Sequence, residues 1–330
     1  MRLRHLGYAC LNITLGVKSR TVRLANLRTE KVIPVVQQNL QAILDMVRWN
    51  AEHGIHFLRV SSDVVPFATL DAFPFDWAEA YDWMFRDIRR EVKAHGMRVS
   101  SHPGQYTVLN SPREEVVADS VKELDHQAKL LRLIDPVQGT LTLHVGGAYG
   151  DKPAAVERFA ANVERLSDEA RGMLTLENDD TTYDLDDVLP LCERLGLPLV
   201  FDYFHHLVYH RGDDPHDGLT EKLERVSATW GRRVPKLHLS SQQPGGRRGA
   251  HADYVRPDDL QRFLDLMDGV GGDAPYDLML EAKQKERATL DLMAYLRGEP
   301  VPDRFADGTV FVGGAGAEAV ADVTDGVGAG

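Results

Sequence analysis

The sequence predicts a single large α/β domain folded as a (β/α)8 TIM barrel. Eight short apolar segments with strand character alternate along the chain with segments of helical periodicity. Six of these strand-like segments end on a histidine or an acidic residue. Strands that alternate strictly with connections of helix length are typical of a parallel sheet covered on both faces, and the closed barrel is its commonest form at 330 residues. An open doubly wound sheet is the alternative.

Composition limits the class of protein further. The chain is 43% apolar and 27% charged, which is ordinary for a globular domain with a large core. Its two cysteines, Cys10 and Cys192, are far apart and lack a CxxC partner, which argues against both a disulfide framework and a thiolate metal site. Asn12 and Thr14 interrupt the first apolar run, so we expect no signal peptide, no membrane span and a cytoplasmic protein.

The strands are predicted from apolar runs, and the helices between them from apolar residues three or four positions apart. The predicted strands cover residues 4–10, 55–61, 97–102, 140–146, 173–178, 197–202, 234–240 and 276–282. Helical faces are predicted over 40–51 and 117–131, and a further helix over 185–195 contains Pro190, which should kink it or delay its start. The barrel domain is expected to cover residues 1–305, followed by a flexible Gly/Ala-rich tail over 306–330.

Local sequence signals predict where some helices begin and end. Ser111, followed by Pro112 and Glu114, predicts an N-cap with a capping box. His53 and His95 each precede a glycine, which predicts a helix end in which the histidine has a structural role.

Metal-type ligands recur at the ends of the predicted strands. Because all strands of a parallel barrel end on the same face, these side chains are expected to converge. One histidine alone is usually a surface or core residue, but eight candidates at equivalent depths indicate a metal centre: His102, His144, Glu177, Asp202, His205, His238, His251 and Glu281. Burying three carboxylates together without cations would be costly, and imidazoles with carboxylates suit two or three Mn²⁺ or Zn²⁺ ions better than Mg²⁺ alone.

Other polar residues are expected near this centre or away from it. Lys236 lies two residues before His238 and therefore points to the same side of its strand, where it could pair with the carboxylates or be covalently modified. His206 should lie behind the ligands. Three further histidines fall in a helix or a polar loop and are not expected to be ligands: His126, His210 and His216. Metal chemistry of this kind leaves phosphodiester hydrolysis and sugar isomerisation both open.

Two features are typical of a nucleic-acid partner, although the net charge of −12 argues mildly against one. Gln105 and Tyr106 follow a stiff Pro-Gly pair, and an amide beside an aromatic ring can bind an unpaired base, although an ordinary exposed loop explains them equally well. Three local basic stretches could form a footprint or a solvated surface: Lys18, Arg20, Arg23, Arg28 and Lys31; Arg232, Arg233 and Lys236; Arg247 and Arg248.

Longer motifs occur over residues 3–290: GYACLN at 7–12, TVRLANL at 21–27, RWNAEHGIHFLRVSSDVVPF at 48–67, SHPGQY at 101–106, LHVGGAYGDK at 143–152, LEND at 176–179, FDYFHH at 201–206, PKLHLSSQ at 235–242, GAHADY at 249–254 and EAKQKE at 281–286. With these motifs the chain resembles one family, the UV damage endonucleases (UvdE), in their compact bacterial form. The family consists of metal-dependent TIM barrels similar to the apurinic-site endonucleases of the xylose-isomerase-like group.

The resemblance implies a DNA repair endonuclease that cuts double-stranded DNA on the 5′ side of cyclobutane dimers and 6-4 products, leaving 3′-hydroxyl and 5′-phosphate ends. It implies that the same eight residues bind two or three divalent ions, Mn²⁺ first and Zn²⁺, Co²⁺ or Mg²⁺ as alternatives. Glu177, Glu281 and Lys236 would be catalytic, and family members can carry the lysine in carboxylated form.

The resemblance also implies residues that contact the lesion. Gln105 and Tyr106 match the pair that probes the damaged bases, and Tyr8 and Asn12 match positions that line the active site and contact the lesion strand. We expect a monomer with no membrane partner. The alternatives are an apurinic-site endonuclease, a sugar isomerase or epimerase on the same scaffold, and a non-enzymatic damage-recognition module.

Overall fold

Eight parallel strands form one sheet that closes into a barrel. The computed structural model describes residues 1–302, residue 304 and the strand residues 310 and 311. The strands are β1 (Arg2–Ala9), β2 (Phe57–Val60), β3 (Arg98–Ser101), β4 (Thr140–His144), β5 (Leu174–Glu177), β6 (Leu199–Val200), β7 (Lys236–Leu239) and β8 (Pro275–Leu280). They pair in the order β6-β5-β4-β3-β2-β1-β8-β7. A parallel bridge between Asp202 and His238 joins the ends of this order, so the predicted TIM barrel is confirmed and the open sheet is excluded.

Helices follow the strands and surround the barrel. They are α1 (Thr29–Glu52), α2 (Trp77–Ala80), α3 (Asp82–Ala94), α4 (Glu114–Ile134), α5 (Lys152–Val163), α6 (Asp168–Met173), α7 (Leu185–Leu195), α8 (Tyr203–Val208), α9 (Leu219–Thr229), α10 (Pro257–Gly269) and α11 (Lys285–Leu296), with a 3₁₀ turn at Leu24–Asn26. Two short strands, β9 (Val301–Pro302) and β10 (Val310–Phe311), pair antiparallel. The rest of the predicted tail lies outside the described residues. No helix in the described part combines the length and apolarity that a membrane crossing requires.

Most of the predicted helix boundaries agree with the structure, with one exception. His53 and His95 are the C-caps of α1 and α3, and each is followed by a glycine with positive φ. Pro190 lies inside α7, which nevertheless covers the predicted range. The prediction of an N-cap at Ser111 is wrong: α4 begins at Glu114, and the Ser111 hydroxyl accepts the nearby Arg113 N–H at 3.1 Å. The serine therefore closes a short turn before the helix.

Several strands, such as β4, alternate between an apolar outer side and a polar inner side. Leu141 and Leu143 of β4 belong to the main apolar core, whereas the intervening Thr142 belongs to a polar group that is also fully buried. Thr142 Oγ1 lies 3.1 Å from Thr175 Oγ1 of β5 and 2.6 Å from Lys236 Nζ of β7. Because successive side chains of a strand point to opposite faces, residues two positions apart point to the same face. His144, Glu177 and His238 lie two positions after Thr142, Thr175 and Lys236, respectively, and therefore also point inward.

A buried ion-pair group occupies the opposite, amino-terminal end of the barrel. Asp277 accepts hydrogen bonds from Arg98 Nη1 at 2.9 Å and from Arg4 Nη2 at 2.6 Å. The Arg98 guanidinium also lies over the ring of Phe57, 5.5 Å from its centroid. Burial raises the pKa of Asp277, but the hydrogen bond from Arg4 and the charge of Arg98 more than offset this and hold the pKa below its ordinary value. The negative charge of Asp277 is thus neutralised within the barrel.

We predict that Asp277→Ala lowers the free energy of unfolding by about 3–5 kcal/mol, because it leaves Arg98 buried without its carboxylate. Urea denaturation would measure the change. Glu193→Ala is the matched control, since Glu193 pairs with Arg225 on the surface and its loss should change stability little. Equal losses in the two variants would contradict the assignment of the stabilisation to burial of the pair.

Candidate metal centre

The structure brings all eight predicted metal ligands to the carboxyl-terminal end of the barrel. His144, Glu177 and His238 lie on β4, β5 and β7 themselves. His102 and Glu281 directly follow the ends of β3 and β8, and Asp202 lies two residues after β6, while His205 lies in α8 and His251 in the loop after β7. This convergence follows from the parallel topology.

Glu177 is the carboxylate around which the imidazoles gather. It is 1% exposed, and its Oε1 lies 2.9 Å from His238 Nδ1 and 3.5 Å from His205 Nδ1. Its Oε2 lies 3.1 Å from His102 Nε2 and 3.9 Å from His144 Nε2. Imidazoles from three strands or strand ends (β3, β4 and β7) and from helix α8 therefore surround a single buried carboxyl on β5.

Glu281 is a second carboxylate with imidazoles around it, beside Glu177. Its Oε1 lies 3.5 Å from His238 Nδ1, and its Oε2 lies 3.5 Å from His251 Nδ1. Arg59 of β2 forms an ion pair with the same carboxylate, and both side chains are largely buried. His238 thus lies between the two glutamates.

Asp202 and His205 are positioned together by a short turn. The Asp202 Oδ1 caps α8 by accepting the His205 N–H at 2.7 Å, which places the two side chains one turn apart. Asn178 supports both, because its side chain exchanges hydrogen bonds with the Asp202 backbone and its carbonyl lies 3.0 Å from His205 Nδ1. Asp202 Oδ2 is buried and has no hydrogen-bond partner among the described residues.

The electrostatics of this end are those of a strongly negative pocket. Burial raises the pKa of Asp202 to about 6, and the neighbouring Glu177 and Glu281 add to the effect against the charge of His205. Burial would lower the pKa of His205, but Asp202, Glu177 and Glu281 raise it to about 9. Burial lowers the pKa of His238 to about 4. The three carboxylates therefore favour positive charge beside them, as expected of a site that attracts cations.

The donor set fits divalent metal ions. Three groups of side chains have ligand atoms within 4.8 Å of one another, and Glu177 belongs to every one: with His102 and His144, with His238 and Glu281, and with Asp202 and His205. The unpartnered Asp202 Oδ2 lies 3.7 Å from His205 Nδ1 and 3.9 Å from His238 Nδ1, too far for a hydrogen bond. These buried groups could hold metal ions with mixed nitrogen and oxygen ligands. His251 lies beside Glu281 but outside the three groups.

Histidines that were not expected to be ligands lie outside these groups. His206 Nε2 lies 2.6 Å from the Pro215 carbonyl, and His216 Nε2 lies 2.9 Å from the Tyr203 hydroxyl. His126 packs edge-on against Trp77 on the outer helices. Lys236 lies fully buried inside the barrel, where its pKa is lowered by burial and by the charge of Arg59.

The two predicted lesion-contacting pairs differ in their exposure. Tyr106 is 84% exposed, and Gln105 lines a cavity of about 600 Å³ together with His144, His205 and His251. Tyr8 and Asn12 are fully buried: the Tyr8 hydroxyl donates to Asn50 Oδ1 at 2.7 Å and accepts from Asn12 Nδ2 at 2.9 Å. Contact between any of these four residues and DNA stays a prediction.

The basic stretches lie at opposite ends of the barrel. Residues 18–31 follow β1, and Arg247 lines the cavity just described, so both lie on the face of the metal centre. Arg232 and Arg233 precede β7 and therefore lie at the other end. Lys236 belongs to the barrel interior, so grouping it with the latter pair as a surface patch is wrong.

Sequence reasoning missed two residues that hold the ligands in place. Arg59 carries the cation that pairs with Glu281, and a charged residue inside the otherwise apolar FLRV segment was the available signal. Asn178 organises Asp202 and His205, but nothing in its local sequence separates it from an ordinary loop asparagine. Both contacts join residues that are distant along the chain.

Fold and site together define a TIM-barrel enzyme with a buried cluster of histidines and carboxylates at the carboxyl-terminal face. The family model UV-endonuclease UvdE matches residues 4–304. UV DNA damage endonuclease from Bacillus thuringiensis subsp. konkukian is 34% identical over 272 residues, covering 82% of this chain and 84% of the relative. The same enzyme from Clostridium perfringens is 31% identical over 297 residues, covering 88% and 70%.

Solved structures agree with this assignment. The crystal structure of SacUVDE superposes with a TM-score of 0.82 at 34% identity, covering 89% of this chain and 98% of that one. Endonuclease IV from Thermus thermophilus superposes with a TM-score of 0.54 at 16% identity, covering 88% and 99%, which shows a shared fold. The chain belongs to the UvdE family, and it is a DNA repair endonuclease of the UV damage endonuclease type.

We predict that Glu177→Gln weakens Mn²⁺ binding by about tenfold or more, because it removes a charged ligand common to all three groups. Isothermal titration calorimetry would measure the affinity. Glu123→Gln is the matched control, since Glu123 is a partly buried glutamate of α4 outside the cluster. Unchanged Mn²⁺ affinity in the Glu177 variant would contradict a metal centre at this position.

Proposed function

We propose that the chain hydrolyses the phosphodiester on the 5′ side of ultraviolet photoproducts in double-stranded DNA, leaving 3′-hydroxyl and 5′-phosphate ends. Two or three divalent ions, Mn²⁺ first, would be held by the eight histidines and carboxylates. The observation that supports this best is the sharing of Glu177 among three potential ligand groups. Several ions held close together can act on both sides of one phosphate.

In the proposed reaction, the metal ions and the protein side chains have different tasks. Bound divalent ions would lower the pKa of a water molecule and offset the negative charge of the phosphate. The protein would fix the ligands: Arg59 restrains Glu281, and Asn178 restrains Asp202 and His205. Lys236, held by Thr142 beneath these groups, would contribute positive charge beside Glu177 and Glu281 or carry a carboxylate of its own.

Selectivity for damage is proposed to reside in the loop after β3. Gln105 lines the cavity that contains the imidazoles, while the neighbouring Tyr106 is almost fully exposed. An exposed ring can stack on unpaired bases, and photoproducts weaken pairing and stacking locally, which lowers the cost of opening the helix. We expect a cytoplasmic location because the proposed substrate is DNA. The monomeric state also stays a prediction.

We expect the wild-type protein with Mn²⁺ to nick irradiated supercoiled plasmid and to leave unirradiated plasmid intact, with chelator abolishing the activity. Glu281→Gln should lose nicking while still binding damaged DNA, because a ligand is lost and the surface is unchanged; Glu123→Gln is the control. An end-labelled duplex with a single photoproduct would locate the cut. Cutting on the 3′ side, or undiminished nicking by the Glu281 variant, would contradict the proposal.

Replacing Gln105 and Tyr106 together with alanine should lower the preference for irradiated over unirradiated DNA by about tenfold, since base stacking contributes about 1–3 kcal/mol per base. Fluorescence anisotropy with matched duplexes would measure both affinities. Trp83→Ala removes a half-exposed aromatic residue of α3, on the outer surface, and serves as control. A preserved preference in the double variant would rule out this loop as the damage probe.

A further inference from the structure

The loop between β1 and α1 carries an unusual concentration of unpaired positive charge. Between Leu11 and Leu44 the chain has five basic residues and a single acidic one, Glu30, although its net charge is −12. All five basic side chains are exposed: Lys18, Arg20, Arg23, Arg28 and Lys31. Among the described residues, none of the five forms an ion pair, whereas most of the other exposed arginines do. We call residues 18–31 the basic arm.

The basic arm is held in place at its root by buried polar groups. The Glu286 carboxylate is fully buried and accepts hydrogen bonds from Ile13 N–H at 2.9 Å, from Thr14 N–H at 2.8 Å and from the Thr14 hydroxyl at 2.9 Å. Asn12 Oδ1 accepts the Leu15 N–H, and Asn12 also bridges to Val17 through its backbone. The buried Tyr8 and Asn12 thus anchor the turn from which the arm starts.

A second buried residue fixes the arm at its centre. The Asn39 side chain accepts the Arg20 N–H at 2.7 Å and donates to the Arg20 carbonyl at 2.8 Å. It also donates to the carbonyls of Val64, at 3.0 Å, and Asp63, at 3.3 Å, in the loop after β2. Asn39 is 1% exposed, so one buried amide clamps the backbone of an exposed arginine to the neighbouring loop. The arm is therefore a preorganised structure with its cations free.

We propose that the basic arm binds the sugar-phosphate backbone of the DNA beside the metal centre, with Lys18, Arg20 and Arg23 neutralising phosphates. This deepens the proposed function and depends on it. The arm follows β1 and lies on the same face as the metal ligands. Glu286, which holds the root of the arm, is five residues from Glu281. A loop whose backbone is already fixed loses less conformational entropy on binding a polyanion than a flexible loop does. The arm accounts for how a protein of this net charge binds DNA.

The test is the salt dependence of binding to irradiated duplex, measured by fluorescence anisotropy with the full chain. The arm variant combines three substitutions, Lys18→Ala, Arg20→Ala and Arg23→Ala. Each lost phosphate contact reduces the magnitude of the slope of log K against log salt concentration by about 0.9, so this variant should have a slope shallower by about 2–3. The matched control replaces Arg2, Lys93 and Arg232 with alanine. These three are also exposed and form no ion pair among the described residues, but they lie at the amino-terminal end of the barrel.

A shallower slope in the arm variant with an unchanged slope in the control would support the proposal. An unchanged slope in the arm variant, or equal changes in both variants, would overturn it. Nicking of irradiated plasmid by the wild-type protein is measured in parallel. Wild-type nicking with an unaltered slope in the arm variant rejects the arm alone, whereas absence of wild-type nicking rejects the proposed function.

The clamp gives a second, independent readout. Asn39→Ala keeps every cation, so the salt slope should be preserved while affinity falls, because the arm must now be ordered on binding. In the wild-type protein, the clamped Arg20 amide should exchange its hydrogen more slowly than the Arg23 amide, for which no acceptor occurs in the described structure. Equal exchange at the two amides, or unchanged affinity in the variant, would overturn preorganisation of the arm.

Discussion

The structure depends on the burial of several carboxylates in one place. Glu177 and Asp202 are nearly inaccessible to water, and Glu281 lies close to both. Such a group is unfavourable unless positive charge surrounds it. The protein supplies part of that charge through Arg59, and the same carboxylates raise the pKa of His205. The remaining negative potential is what makes this end of the barrel suitable for divalent cations and, through them, for a phosphate.

The barrel provides the means of burying these groups together. Alternation along strands such as β4, β5 and β7 separates an apolar layer, which packs against the helices, from a group of polar residues in the interior that extends from Asp277 through Thr142 to Glu177. Arg98 neutralises Asp277 at one end of the barrel, and in the middle Lys236 donates a hydrogen bond to Thr142. The outer apolar layer supplies the stability that allows the interior to remain charged. The inward-facing side chains of these strands thus form the site, whereas the outward-facing side chains of the same strands form the apolar core.

Much of this was predictable from sequence, because two short-range regularities encode it. Short apolar runs locate the strands, and the parallel topology then places every strand-end ligand on one face. What could not be predicted are contacts that join distant positions without a local pattern, such as Arg59 with Glu281 and Asn178 with Asp202. A charge run alone does not show which end of the barrel it occupies; that follows only from its position relative to a strand, since Arg232 precedes β7 whereas the arm follows β1. The Ser111 capping signal failed because a local turn competes for the same hydroxyl.

The central claim is that Glu177 is a ligand common to several divalent ions. Anomalous diffraction at the manganese absorption edge, from crystals grown with Mn²⁺, tests it most directly. The account predicts two or three anomalous peaks, each within coordination distance, about 2.0–2.3 Å, of a carboxylate or imidazole of the cluster, and Glu177 in contact with more than one of them. Peaks confined to other parts of the molecule, or a Glu177 carboxylate bonded only to protonated histidines in Mn²⁺-soaked crystals, would contradict it.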